Sequence, residues 1–172
     1  MLVVNLLVIL AIIFLLLMLS AVWPPDSPWA PWWRTSQKTA RAICKLAKVK
    51  KGDLIYDLGS GDGTALMIAA REFGAKGIGI EIDPFRYWVS KILLKKNSVT
   101  NRVKILRKNF FAQNIKDADV IFVYLIPKAL EKLLPKFKRE LKKGTRIVSF
   151  VYEINLPLKG YDKENKIRLY VI

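Results

Sequence analysis

The chain contains no histidine and a single cysteine, Cys44, among 172 residues. Without histidine neither a His-dependent zinc site nor a His-based catalytic triad can be assembled. One cysteine excludes an internal disulfide. Cys44 lies on the apolar face Ala40, Ile43, Cys44, Ala47 of a helical pattern, which reads as a buried, inert thiol. Basic residues are missing from Met1 to Trp33, where the only acid is Asp26. No Gly-Lys-Ser/Thr step follows the glycine-rich stretch, which excludes a P-loop.

The first thing present is apolar. From Leu2 to Val22 no residue is charged and only Asn5 and Ser20 interrupt the run, which as a helix measures about 31 Å at ~1.5 Å per residue. That length predicts a transmembrane anchor over 1–23 rather than a cleaved signal peptide, since no basic residue precedes the run and "LSA" is a poor cleavage site. All 30 basic residues come after it, so the positive-inside tendency predicts a single-pass membrane protein with a cytoplasmic catalytic domain. The net charge of +16 suits an anionic lipid surface or nucleic acid, and equally a solvated lysine-rich surface without a specific partner. Residues 24–35 hold half of the 8 prolines and, with Trp23, the N-terminal stretch holds all but one of the 5 tryptophans. That composition predicts a juxtamembrane linker, with Trp32 or Trp33 alternatively covering the core of the domain that follows over 36–172.

Within 36–172 the hydrophobic period alternates. "TSQKTARAICKLAKV" is helical with Thr35 or Ser36 as cap, "DLIYDL" a buried strand, "GTALMIAAREF" a helix and "GIGIEI" a second strand. "DPFRYWVSKILLKK" opens with Asp83 as cap and Pro84 in the first turn, and its apolar residues recur at 85, 88, 89, 92 and 93. "RVKIL" and "DVIFVYLI" are strands, "PKALEKLLPKFKRELKKG" a helix expected to break at Pro135, and "TRIVSFVYEI" and "KIRLYVI" the last strands. Strands alternating with helices imply a Rossmann-like α/β fold, a mostly parallel sheet covered on both faces. Such folds bind ligands at the carboxyl ends of their strands.

The "DLGSGDG" segment sits at one such end. Gly59, Gly61 and Gly63 allow positive φ and admit a ligand close to the backbone around Ser60. The spacing is G-x-G-x-G, and Thr64 occupies the third glycine position of a nicotinamide fingerprint. Glu81 ends the second strand, where a carboxylate can accept both hydrogen bonds of a ribose diol.

Together "YDLGSGDGT" and "GIGIEIDP" resemble the S-adenosylmethionine site of class I, seven-strand methyltransferases. The resemblance implies that Asp57 and the loop of Gly59, Ser60, Gly61 and Gly63 face the methionine part of the cofactor, that Glu81 holds the ribose and that Ile82 lies against adenine. It places Asn109 of "RKNFF" near the adenine amino group, although Asn also suits a turn. The hydrophobic N-terminus, the Trp/Pro-rich stretch, "KVKKGDLIYDLGSGDG" and "DVIFVYLIPKALEKLLPKFKRELKKGTRIVS" look like the membrane-anchored lysine methyltransferases that act on the c-ring protein of ATP synthase and on the adenine nucleotide translocase. That implies a membrane protein as substrate. At the end of the fourth strand, Tyr124-Leu125-Ile126-Pro127 stands where adenine and amide methyltransferases carry Asn/Asp-Pro-Pro-aromatic, which argues against base N-methylation. Tyr124 is the candidate catalytic residue, lining a lysine channel, or else a half-buried strand tyrosine. A noncatalytic membrane-docking module is the remaining alternative.

Overall fold

The computed structural model describes residues 1–22 and 33–172, with side chains described for 1–16 and from 33 onward. Helices α1 (Leu2–Val22), α2 (Gln37–Leu46), α3 (Thr64–Glu72), α4 (Pro84–Lys96) and α5 (Pro127–Glu140) alternate with strands β1 (Leu54–Leu58), β2 (Lys76–Glu81), β3 (Val103–Arg107), β4 (Val120–Val123), β5 (Arg146–Phe150), β6 (Leu158–Asp162) and β7 (Ile167–Val171).

The strands form one seven-stranded sheet in the order β3-β2-β1-β4-β5-β7-β6. β1 pairs in parallel with both β2 and β4, while β7 is antiparallel to β5 and to β6. Alternate residues of β1 feed opposite faces. Ile55 joins a core with Cys44 of α2, Leu66 of α3 and Leu94 of α4, whereas Tyr56 and Leu58 join one with Leu130, Leu133 and Phe137 of α5. Strand order reverses at β1, with β2 and β3 added on one side and β4 and β5 on the other, which opens a crevice at the carboxyl ends of β1 and β4.

Several expectations change. Among the described residues no helix is long and apolar enough to cross a membrane. The expected transmembrane helix at 1–23, and with it the single-pass protein with a cytoplasmic domain, is therefore corrected. Apart from Trp33, Arg34 and Thr35, the expected linker at 24–35 lies outside the described residues, as does Trp32; Trp33 is 66% exposed rather than part of the core.

Helix α4 is capped as anticipated, with Asp83 Oδ1 accepting the Arg86 N–H at 2.7 Å, but it presents the opposite face. Arg86, Ser90 and Leu94 are buried, while Phe85, Trp88 and Ile92 are 63%, 60% and 66% exposed. Ser90 is the α4 residue that packs beside the glycine loop, where a Cβ on Gly63 would meet Ser90 Cβ at 3.8 Å. Helix α5 runs unbroken through Pro135, because Leu133 and Phe137 on either side of it are fully buried. Cys44 is buried, and burial pushes its thiol up to about 12, as suits an inert side chain.

Candidate active site

A cavity opens at the carboxyl ends of β1, β2, β4 and β5. Asp57, Gly59, Ser60, Gly61, Glu81, Ile82 and Tyr124 line it. Gly63 and Asn109 are not among its lining residues.

The loop between β1 and α3 is built by its glycines. Gly59, Gly61 and Gly63 have φ of +90°, +54° and +79°, a region open mainly to glycine. The N–H groups of Gly59 and Ser60 both donate to Ile80 O, at 2.9 and 3.1 Å, and the Gly63 N–H donates to Ser60 O at 2.8 Å. The Gly61 N–H donates to Glu81 Oε2 at 2.8 Å. These four amides are thus engaged within the protein, and the glycines provide room rather than donors for a ligand.

Two glycines of β2 complete the joint. A Cβ on Gly79 would lie 2.5 Å from Ile105 Cδ1 and 2.6 Å from Ser60 Oγ, and one on Gly77 would lie 2.9 Å from Leu66 Cδ2. The loop and α3 therefore seat directly on the backbone of β2. Ser60 Oγ is buried in this seat and, among the described residues, is a buried polar atom without a hydrogen-bond partner.

Glu81 Oε1 accepts the Asp83 N–H at 2.9 Å. With Oε2 engaged by Gly61, each carboxylate oxygen retains a lone pair for a diol. Burial raises the Glu81 pKa against the opposing pull of its two backbone hydrogen bonds and of Arg86. Asp57 is pushed up to about 7 by burial, with further contributions from Glu81 and Asp62. Arg86, buried at the cavity wall, is lowered by desolvation while Glu81 and Asp83 support its charge.

Asp62 and Arg34 were given no role by the sequence pattern. Asp62 Oδ1 accepts the Thr64 N–H at 3.0 Å and the Thr64 hydroxyl at 2.7 Å, which starts α3. Its Oδ2 takes Arg34 Nε at 2.8 Å, drawing Trp33, Arg34 and Thr35 over the cavity rim. Asn109 serves as a turn residue: its Oδ1 accepts the Phe111 N–H at 2.9 Å. The neighbouring Phe110 lines the cavity instead. Tyr124 packs against Phe150, ring centroids 4.5 Å apart, and burial raises its pKa, with a smaller contribution from Tyr152.

The arrangement fits S-adenosylmethionine. A glycine turn leaves space over the backbone, Glu81 keeps acceptor capacity for a diol, and Asp57 and Asp62 line the same cavity, with Asp62 paired to Arg34. Residues 57–157 match the model of the ANTKMT methyltransferase domain. A protein-lysine N-methyltransferase of Saccharolobus islandicus is 37% identical over 146 residues, covering 84% of this chain and 86% of that protein. The adenine nucleotide translocase lysine N-methyltransferase of Mus musculus is 28% identical over 120 residues, covering 69% of this chain, which spans about half (52%) of that protein's length. A solved structure described as an RNA methyltransferase from Salinibacter ruber, in complex with S-adenosyl-L-homocysteine, matches with a TM-score of 0.79 at 32% identity, covering 81% of this chain and 94% of that one.

Proposed function

The chain belongs to the ANTKMT methyltransferase family and is an S-adenosylmethionine-dependent methyltransferase, and from that premise we propose that its acceptor is a lysine side chain of a membrane protein. The observation that carries this reading is the 37% identity, over most of both chains, to a protein-lysine N-methyltransferase. The mouse relative, named for the adenine nucleotide translocase, supports the same acceptor class. A net charge of +16 suits work beside an anionic lipid surface.

S-adenosylmethionine, when bound, supplies an activated methyl group. In this reading Glu81 receives the ribose diol, Ile82 faces adenine, and Asp57 with Gly59, Ser60 and Gly61 of the loop surrounds the methionine part. Asn109 is left with its turn, and Gly63 supports the loop from behind. Methyl transfer is an in-line displacement, so the chain's contribution is alignment and the exclusion of water. A lysine must lose its proton before its nitrogen can attack, and an apolar wall favours the neutral amine. The Tyr124 phenol, whose pKa burial raises, serves in this reading as a hydrogen-bond acceptor for the ammonium rather than as a phenolate base.

A nucleic-acid acceptor is the second reading. It is favoured by the basic surface and by the likeness to a structure described as an RNA methyltransferase. The absence of an Asn/Asp-Pro-Pro step at Tyr124-Leu125-Ile126-Pro127 counts against a base nitrogen. Incubating the purified protein with labelled S-adenosylmethionine and native membranes distinguishes the two. Label that resists nuclease, yields to protease and is recovered as methyl-lysine supports the proposal; label removed by nuclease overturns it.

A further inference from the structure

Val151 is a β-branched residue at φ +69°, immediately after β5. A valine there is a backbone outlier that costs of order 1–3 kcal/mol and persists only where its surroundings hold it. The surroundings do so. The Val151 N–H donates to Lys166 O at 2.8 Å, and Arg168 Nη1 donates to Val151 O at 2.6 Å. Ser149 Oγ donates to Tyr152 O at 2.6 Å, and the Ile154 N–H donates to Tyr170 Oη at 3.1 Å. Lys166, Arg168 and Tyr170, alternate residues at the start of and along β7, grip the turn.

The turn folds the chain back so that Tyr152 stands beside Tyr124, ring centroids 6.5 Å apart and planes 28° from parallel. Tyr124 in turn meets Phe150 at 4.5 Å, and both line the cavity. Three aromatic rings are thereby gathered where β4 and β5 end, Tyr124 and Phe150 on the cavity lining and Tyr152 next to Tyr124 beyond it. The strain at Val151 has a product, which is the position of this ring.

We propose that Tyr152 is the outer wall of an alkylammonium-binding site shared with Tyr124 and Phe150, and that Val151 and Arg168 are its positioning residues. The inference rests on the lysine reading above and deepens it. Ring faces attract a cation through their quadrupoles, and stacked rings exclude water from its alkyl stem. The site therefore recognises the acceptor by charge and by an unbranched apolar stem.

The test uses n-butylammonium as probe, titrated into the full chain saturated with S-adenosylhomocysteine, with n-butanol as the neutral comparison. The native chain is expected to bind the cation in preference to the alcohol. Tyr152→Ala should weaken that binding about tenfold, leave S-adenosylhomocysteine affinity unchanged and raise KM for the membrane acceptor more than it lowers kcat. Tyr152→Phe, which keeps the ring, should restore both, and its retained folding guards against a merely structural effect. Equal cation binding by Tyr152→Ala and the native chain, or no preference for the ammonium over the alcohol, overturns the inference. If the cation binds through Tyr152 while membranes yield no methyl-lysine, the lysine reading fails and the ammonium site stands.

Discussion

Glu81 Oε2 accepts the Gly61 N–H at 2.8 Å, so the carboxylate that closes β2 also clamps the turn that follows β1. Glu81→Ala removes that clamp, the Asp83 contact and the diol acceptor together. The expected loss is ~2 kcal/mol, about thirtyfold in Kd, for S-adenosylhomocysteine. Calorimetric titration measures it; an unchanged Kd would remove Glu81 from the cofactor site.

Gly79→Ala places a Cβ 2.5 Å from Ile105 Cδ1 and 2.6 Å from Ser60 Oγ. Overpacking of this kind costs about 1–3 kcal/mol. The melting temperature should fall, and cofactor affinity should fall with it because Ser60 belongs to the loop. Gly144→Ala is the comparison: its φ is +90° but nothing lies within 4 Å of the added atom, so only stability should respond. A Gly79→Ala variant with native affinity would separate the seat from the site.

Asp57, pushed up to about 7, sets a pH dependence. A carboxyl whose pKa rises on folding binds its proton more tightly in the folded chain, so the folded state is favoured at low pH and loses that advantage as pH rises toward about 7. The raised Glu81 acts in the same direction. Ligand-free protein should therefore lose stability between about pH 4 and pH 7, by a few kcal/mol at most. Asp57→Asn should flatten the slope. Thermal unfolding across that range decides it, and a slope indifferent to the substitution would place the titration elsewhere.

Asp62→Ala removes the Arg34 ion pair and both Thr64 hydrogen bonds, whereas Arg34→Ala removes only the first. Arg34 has a 65% exposed side chain, so its pair is worth at most ~1 kcal/mol. Losing the Thr64 contacts adds about 1 kcal/mol. The expected order of melting temperatures is native, Arg34→Ala, Asp62→Ala. Equal values for the two variants would mean that the start of α3 does not depend on Asp62.

The order of strands and helices was legible because each apolar run has its own period and its own stop. Asp83-Pro84 marked the start of α4, and Glu81 stood out as an acid ending an apolar strand. What periodicity could not convey was direction in space. On α4 the regular apolar stripe at 85, 88 and 92 is the exposed one, while the buried positions 86, 90 and 94 carry Arg, Ser and Leu, so the periodicity pointed to the wrong face. "TRIVSFVYEI" reads as one long strand, since nothing local says that Val151 turns back under restraint from Arg168. β6, with its exposed Leu158 and Tyr161, lacks the apolar alternation that announces a strand. Arg34 and Asp62 meet across 28 positions of chain, a pairing no local pattern records.

The cavity gathers Asp57, Asp62 and Glu81 inside a protein whose net charge is +16. Arg34 and Arg86 share the cavity wall, so its acids already answer cations of the protein itself. Methyl transfer turns the cofactor's sulfonium into a neutral thioether and carries the positive charge, with the methyl group, to the acceptor nitrogen. The site therefore sees its cation move by the length of one bond rather than vanish.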